Sequence, residues 1–129
     1  VPSDEAGRLK VLHELIEFCS EKLEIILAES KRLLGLLNAQ GINEASARCM
    51  RIVEAIEDDA KTAAEHARTS SSAEPERLAP GPVEELLRER LKAGIASHEA
   101  LERASKRLLD LGEVAFEASG MRARLKKPL

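Results

Sequence analysis

The sequence predicts an all-α fold: a long antiparallel helical hairpin plus a third helix, packed as a coiled-coil-like bundle. Three observations carry this. Leu and Ala number 19 each among 129 residues, while the aromatics are Phe18 and Phe116 alone. Helices favour the former pair, whereas strands favour β-branched and aromatic residues. An apolar heptad runs through the first third of the chain, and two breaks of different character divide the remainder. The length fits a single helical domain over residues 1–129.

The first helix is expected over about residues 4–40, a stretch without proline. Leu9, Leu12, Ile16, Cys19, Leu23, Ile26, Leu33 and Leu37 follow one another in heptad steps, with Ser30 as the polar interruption. A strand cannot use that spacing, and the helix would be about 50 Å long. A second stripe, Val11, Leu15, Phe18 and Ile25, lies beside the first, with Leu27, Leu34 and Leu36 on its flanks. Together they cover an arc of roughly 200°, against the ~100° of a one-sided surface helix. Lys10, Glu17, Glu24 and Lys31 mark the wet side. One partner helix does not cover such an arc. At least two neighbours are required, from this chain or from a second copy.

The first break runs from Asn38 to Asn43. Gly41 suits the left-handed residue that ends a helix, Ile42 the apolar contact that follows, and Asn43 the N-cap of the next helix. So short a connection makes the two helices antiparallel neighbours. The second helix is expected over about residues 44–68, with a seam of Ala45, Cys49, Ile52 or Val53, Ile56, Ala60, Ala63 and Ala67. Its second half is alanine, which buries little area. Residues 69–81 carry turn formers and no periodicity, and read as a mobile loop that Leu78 docks weakly.

Pro82 fits the first position of a third helix, with Glu84 and Glu85 at its positive end. This helix is expected to run to about Ser119, where Gly120 ends it. Its clearest seam is Leu101, Ala104, Leu108, Leu111, Ala115 and Ala118. Upstream the seam is read through Leu87, Leu91, Gly94 or Ile95, and His98, with a slip in phase. Residues 120–129 form a frayed basic tail carrying Arg122, Arg124, Lys126 and Lys127. It reads as a solvated end, with an acidic partner surface as the alternative.

The sequence offers little chemistry. Net charge is −3, from 20 basic and 23 acidic residues, so nothing draws the chain globally towards nucleic acid or anionic lipid. Base-stacking modules need more aromatics. No membrane insertion and no signal peptide are expected, and the chain reads as cytoplasmic. Cys19 and Cys49 would lie about 20 Å apart along the hairpin, too far for a disulfide, and are expected as buried free thiols. His13, His66 and His98 form no metal motif, so neither metal nor other cofactor is expected. A phosphotransfer histidine would be followed by Lys and Gly, which Glu14-Leu15-Ile16-Glu17 and Glu99-Ala100-Leu101-Glu102 do not supply. Glu57-Asp58-Asp59 reads as a solvated face. The chain is expected not to be an enzyme.

What remains is apolar helix surface. Leu109, Val114, Phe116 and Met121 lie off the third helix's main seam and serve either the core or a docking face for a client helix.

Several stretches carry a family resemblance. They are Leu12-His-Glu-Leu-Ile-Glu, Glu24-Ile-Ile-Leu-Ala-Glu-Ser-Lys-Arg-Leu-Leu and Leu91-Lys-Ala-Gly-Ile-Ala-Ser-His-Glu-Ala-Leu. With the long leucine-rich first helix and separate C-terminal helix, the chain resembles flagellar export chaperones of the FlgN type. The resemblance implies a protein that holds subunits of the hook–filament junction before type III export. It also implies client contact through the C-terminal helical region, here Leu101, Leu108, Leu109, Leu111, Val114 and Phe116. The alternative from another class is a structural coiled-coil subunit of a permanent homo-oligomer.

Overall fold

The computed structural model describes residues 2–71 and 80–126, with side chains from 4 to 71 and from 83 to 120. Three helices follow in order: α1 (Pro2–Ala39), α2 (Asn43–Ser71) and α3 (Pro80–Lys126). Each packs on both others. There is no strand among the described residues. The chain is therefore an all-α bundle, an α1–α2 hairpin with α3 lying along it.

Gly41 makes the hairpin. Its φ is +71°, a conformation that costs a residue with a Cβ. The Ile42 N–H donates to the Leu37 carbonyl at 3.4 Å and the Gly41 N–H to Asn38 at 3.0 Å. These two bonds satisfy carbonyls that the end of α1 leaves open. Asn43 is already helical, so the expected cap moves by one residue: the Ile42 carbonyl accepts from Ser46 N–H at 2.9 Å.

Buried positions on α1 include Leu9, Ile16, Cys19, Leu23 and Leu37. Ser30 is buried among them and donates its hydroxyl to the Ile26 carbonyl at 2.7 Å, so the interruption in the seam is hydrogen-bonded within its own helix. On α2 the seam is Ala45, Cys49, Val53, Ile56, Ala60 and Ala63. Ala60 and Ala63 share the core with Ala100 and Ala104 of α3. Both cysteines are buried and free.

The third helix corrects the expectation in two ways. Its seam has no slip in phase. Val83, Leu87, Arg90, Gly94, Ser97, Leu101, Ala104, Leu108, Leu111, Ala115 and Ala118 form one continuous heptad of buried or half-buried residues. Leu91, Ile95 and His98 point outwards. The helix also continues through Gly120 to Lys126, so much of the expected tail is helical. Likewise residues 69–71 belong to α2, and Pro80 and Gly81 to α3. Residues 72–79 of the expected loop, with Leu78, and 127–129 of the tail lie outside the described residues.

Ion pairs link the helices at the surface. Arg103 and Arg107 of α3 both reach Asp59 of α2, the former at 3.3 Å. Lys31 of α1 pairs with Glu57 at 3.2 Å and Arg48 with Glu117 at 2.7 Å. The Glu57-Asp58-Asp59 cluster is thus more than a solvated face, because Asp59 sits half-buried between helices.

Candidate functional site

Polar contacts at the Arg90 end of the bundle bring all three helices together. The Arg90 guanidinium donates to the Leu9 carbonyl at 3.4 Å and to the Ser70 carbonyl. Ser70 Oγ lies 2.8 Å from His13 Nδ1, and His13 Nε2 lies 3.0 Å from Glu17 Oε1. A carboxylate only accepts, so Nε2 carries a proton. In the neutral ring Nδ1 then accepts from the Ser70 hydroxyl. Desolvation lowers the Arg90 pKa from its ordinary value. These bonds hold the last turn of α2 between α1 and α3.

With Arg90 turned inwards, its neighbours turn outwards. Arg90 is 5 % exposed while Leu91 is 50 % exposed. Gly94 faces α1 with room for a side-chain carbon at ordinary contact distance. A Cβ there would lie 3.6 Å from Leu15, 3.9 Å from Leu12 and 4.0 Å from Ile16. The two helices are therefore parallel, with residue n of α1 level with about residue n + 80 of α3. Val11, Leu15 and Phe18 on α1 and Leu91 and Ile95 on α3 are exposed, large and apolar. Between these helices opens a cleft of about 850 Å³, lined by Asp4, Arg8, Val11, Leu12, Glu84, Leu87, Arg88 and Leu91, with Gly7. This groove is the candidate site. Its sequence signal was the Val11–Leu15–Phe18–Ile25 stripe, legible as an excess of apolar arc but not as a docking face.

The six residues suggested for client contact do not form one surface. Leu111 and Val114 are core residues, the latter 1 % exposed. Leu101 and Leu108 pack against the core from its edge. Only Leu109 and Phe116, at 72 % and 79 % exposure, are open to a partner. They lie two turns apart on the outer face of α3.

Among the described residues no three His, Cys, Asp or Glu side chains converge as a metal site would require. His66 Nδ1 lies 3.4 Å from Ser97 Oγ, and His98 pairs with Glu102 on its own helix. Burial raises the pKa of both the Cys19 and the Cys49 thiol. A smaller cleft of about 390 Å³ between α2 and α3 is lined by groups of mixed sign, among them His66, Glu89 and Lys92. Among the described residues no helix is long and apolar enough to cross a membrane. No family model matches the chain, and comparison with curated proteins and with solved structures finds no match.

Proposed function

We propose that this is a non-enzymatic helix-binding protein whose docking surface is the α1–α3 groove. The exchange of Arg90 and Leu91 carries the reading. A helix that buries an arginine and exposes the adjacent leucine has kept apolar surface where another molecule can cover it. An amphipathic helix laid in the groove would set its stripe on Val11, Leu15, Leu91 and Ile95 and complete a four-helix arrangement. In the setting that the FlgN-type resemblance implies, the protein is a cytoplasmic export chaperone. The bound helix then belongs to a hook–filament junction subunit awaiting type III secretion.

A second reading has its own observation. Val11, Leu15, Phe18 and Ile25 continue as a heptad-like stripe along α1, which suits a structural coiled-coil subunit of a permanent oligomer. One experiment tests both. Purified hook–filament junction subunits are titrated against the wild type, Val11→Asp/Leu91→Asp and Leu109→Asp/Phe116→Asp, with sedimentation velocity on each protein alone. Binding lost only in the first variant supports the groove. Loss in the second moves the site to the outer face of α3. A stable oligomer that dissociates in the first variant, with no subunit binding, supports the structural reading. Binding by neither route, with a monomer throughout, rejects both.

A further inference from the structure

The contiguous apolar core does not run the length of the bundle. It starts beside the hairpin turn, at Leu37 and Ala45, and passes through Ile56 and Leu111. It ends at Leu23, Ala63 and Ala100. Leu9, Ile16 and Val83 are buried beyond that end and do not belong to it. The pairs of Asp59 with Arg103 and Arg107, of Lys31 with Glu57 and of Arg48 with Glu117 lie on the core's side as well.

Residues 80–97 of α3 cross the other part. From Val83 on, their buried positions are Val83, Arg90, Gly94 and Ser97. Of these only Val83 brings an aliphatic side chain, while Leu86, Leu87 and Ala93 are half-buried. Arg90 and Ser97 hold by polar contacts instead. Arg90 donates to the Leu9 and Ser70 carbonyls, and Ser97 Oγ lies 3.4 Å from His66 Nδ1. Beyond Ala100 the same helix buries Leu111 and Val114 and leans Leu101 and Leu108 on the core. Net of the water they displace, hydrogen bonds contribute less than a buried leucine does. One half of α3 is therefore held by burial and the other mainly by polar contacts.

We infer that residues 80–97 form a strap that opens as a unit while the rest of the bundle stays folded. A free helix of about five turns is marginal in water, and Gly94 weakens this one further. Lifting therefore unwinds the strap and needs no hinge. It bares the part of α1 that Gly94 faces, Leu12, Leu15 and Ile16. Around Ile16 and Cys19, α1 stays helical, because it keeps α2 as a neighbour. Leu87 and Leu91 of the groove belong to the strap, so the groove has both walls only while the strap is docked. That bearing on the groove rests on the helix-binding reading, whereas the opening is a property of the chain alone.

Native-state hydrogen exchange of the full chain in low urea tests the inference. Amides of residues 86–96 are expected to share one opening, about a hundredfold more frequent than that of residues 104–117 and less dependent on urea. Amides of Ile16 and Cys19 stay in the slower class. Val53→Ala, in the part that remains folded, speeds the slower class about tenfold and leaves the strap's opening unchanged. Gly94→Cys places a thiol against α1. It is expected to label at the frequency its own amides give, ahead of Cys49 inside the core. One opening shared by all three helices overturns the inference, as does Gly94→Cys labelling no faster than Cys49. Ile16 and Cys19 opening together with the strap also overturns it, since the whole end of the bundle then melts. No ligand is present in these measurements, so their failure leaves the helix-binding reading standing.

Discussion

Arg90 and Leu91 are consecutive residues with inverted environments: the guanidinium is buried against the Leu9 and Ser70 carbonyls while the leucine faces solvent across the groove from α1. Turning α3 by one residue would bury Leu91 and release Arg90. The observed phase is held by the rest of the heptad, because Ala104, Leu111 and Ala118 stay buried only in this rotation. The N-terminal half of α3 is thus carried by its C-terminal half, and its own apolar residues are left for the groove.

Arg90→Ala removes the donor to both carbonyls. The expected cost is about 1–3 kcal/mol. Hydrogen exchange localises it: amides of the last turn of α2 around Ser70 lose protection, while those near Cys49 and Ile56 keep theirs. Uniform loss of protection would show that the contacts support the whole bundle instead.

Stability should follow burial residue by residue. Leu23→Ala, at a fully buried site, is expected to cost about 2–5 kcal/mol. Ala63→Gly should cost nearer 1 kcal/mol, mainly helix propensity. Leu109→Ala should stay within about 0.5 kcal/mol, since that side chain is exposed. Urea unfolding of the three variants measures the order.

Two glycines should answer oppositely to alanine. At Gly94 the new Cβ meets α1 side chains at ordinary contact distance, so the gain in helix propensity of about 0.5–1 kcal/mol should survive. At Gly41 the positive φ makes Gly41→Ala destabilising, by about 1 kcal/mol. Thermal melts of the two variants should move in opposite directions.

The thiols provide a pH test. Burial raises the pKa of Cys19 and Cys49 above the ordinary 9.0, so the folded chain releases these protons later than the unfolded chain does. Their contribution to stability is whole below that range and is lost as pH rises through it. Native protein should therefore react slowly with a thiol reagent at pH 8, and both cysteines should react at once in denaturant. Fast labelling of either cysteine in the folded state would contradict its burial.

The sequence made the α1 seam and the Gly41 turn legible because apolar spacing and a left-handed glycine are local signals. The upstream phase of α3 was hidden for a physical reason. Arg90 and Ser97 occupy core positions through hydrogen bonds to other helices, which hydropathy does not register. Leu91 and His98, one residue along, then suggested a false seam. The groove followed the same logic. Val11, Leu15 and Phe18 were visible as surplus apolar residues, but their pairing with Leu91 and Ile95 depends on the parallel alignment of α1 and α3. Val114 misled in the opposite sense: it stands off the heptad yet is buried.

Asp59 has a consequence for how the chain avoids misassembly. A heptad repeats itself, so α3 displaced by seven residues along the hairpin would still present small and aliphatic side chains to the alanines of α2. Against the α2 alanines such a sliding error would be nearly invisible to hydrophobic packing alone. It would not be invisible to Asp59, which is half-buried and receives Arg103 and Arg107. Displacement in one direction substitutes Ala96 and Ala100 for the two arginines, and in the other Asp110 and Val114. Each leaves a partly desolvated carboxylate without its counter-charge, and the second adds a like charge. Asp59 thus acts as an index mark for the C-terminal half of α3, as Arg90 does for the N-terminal half.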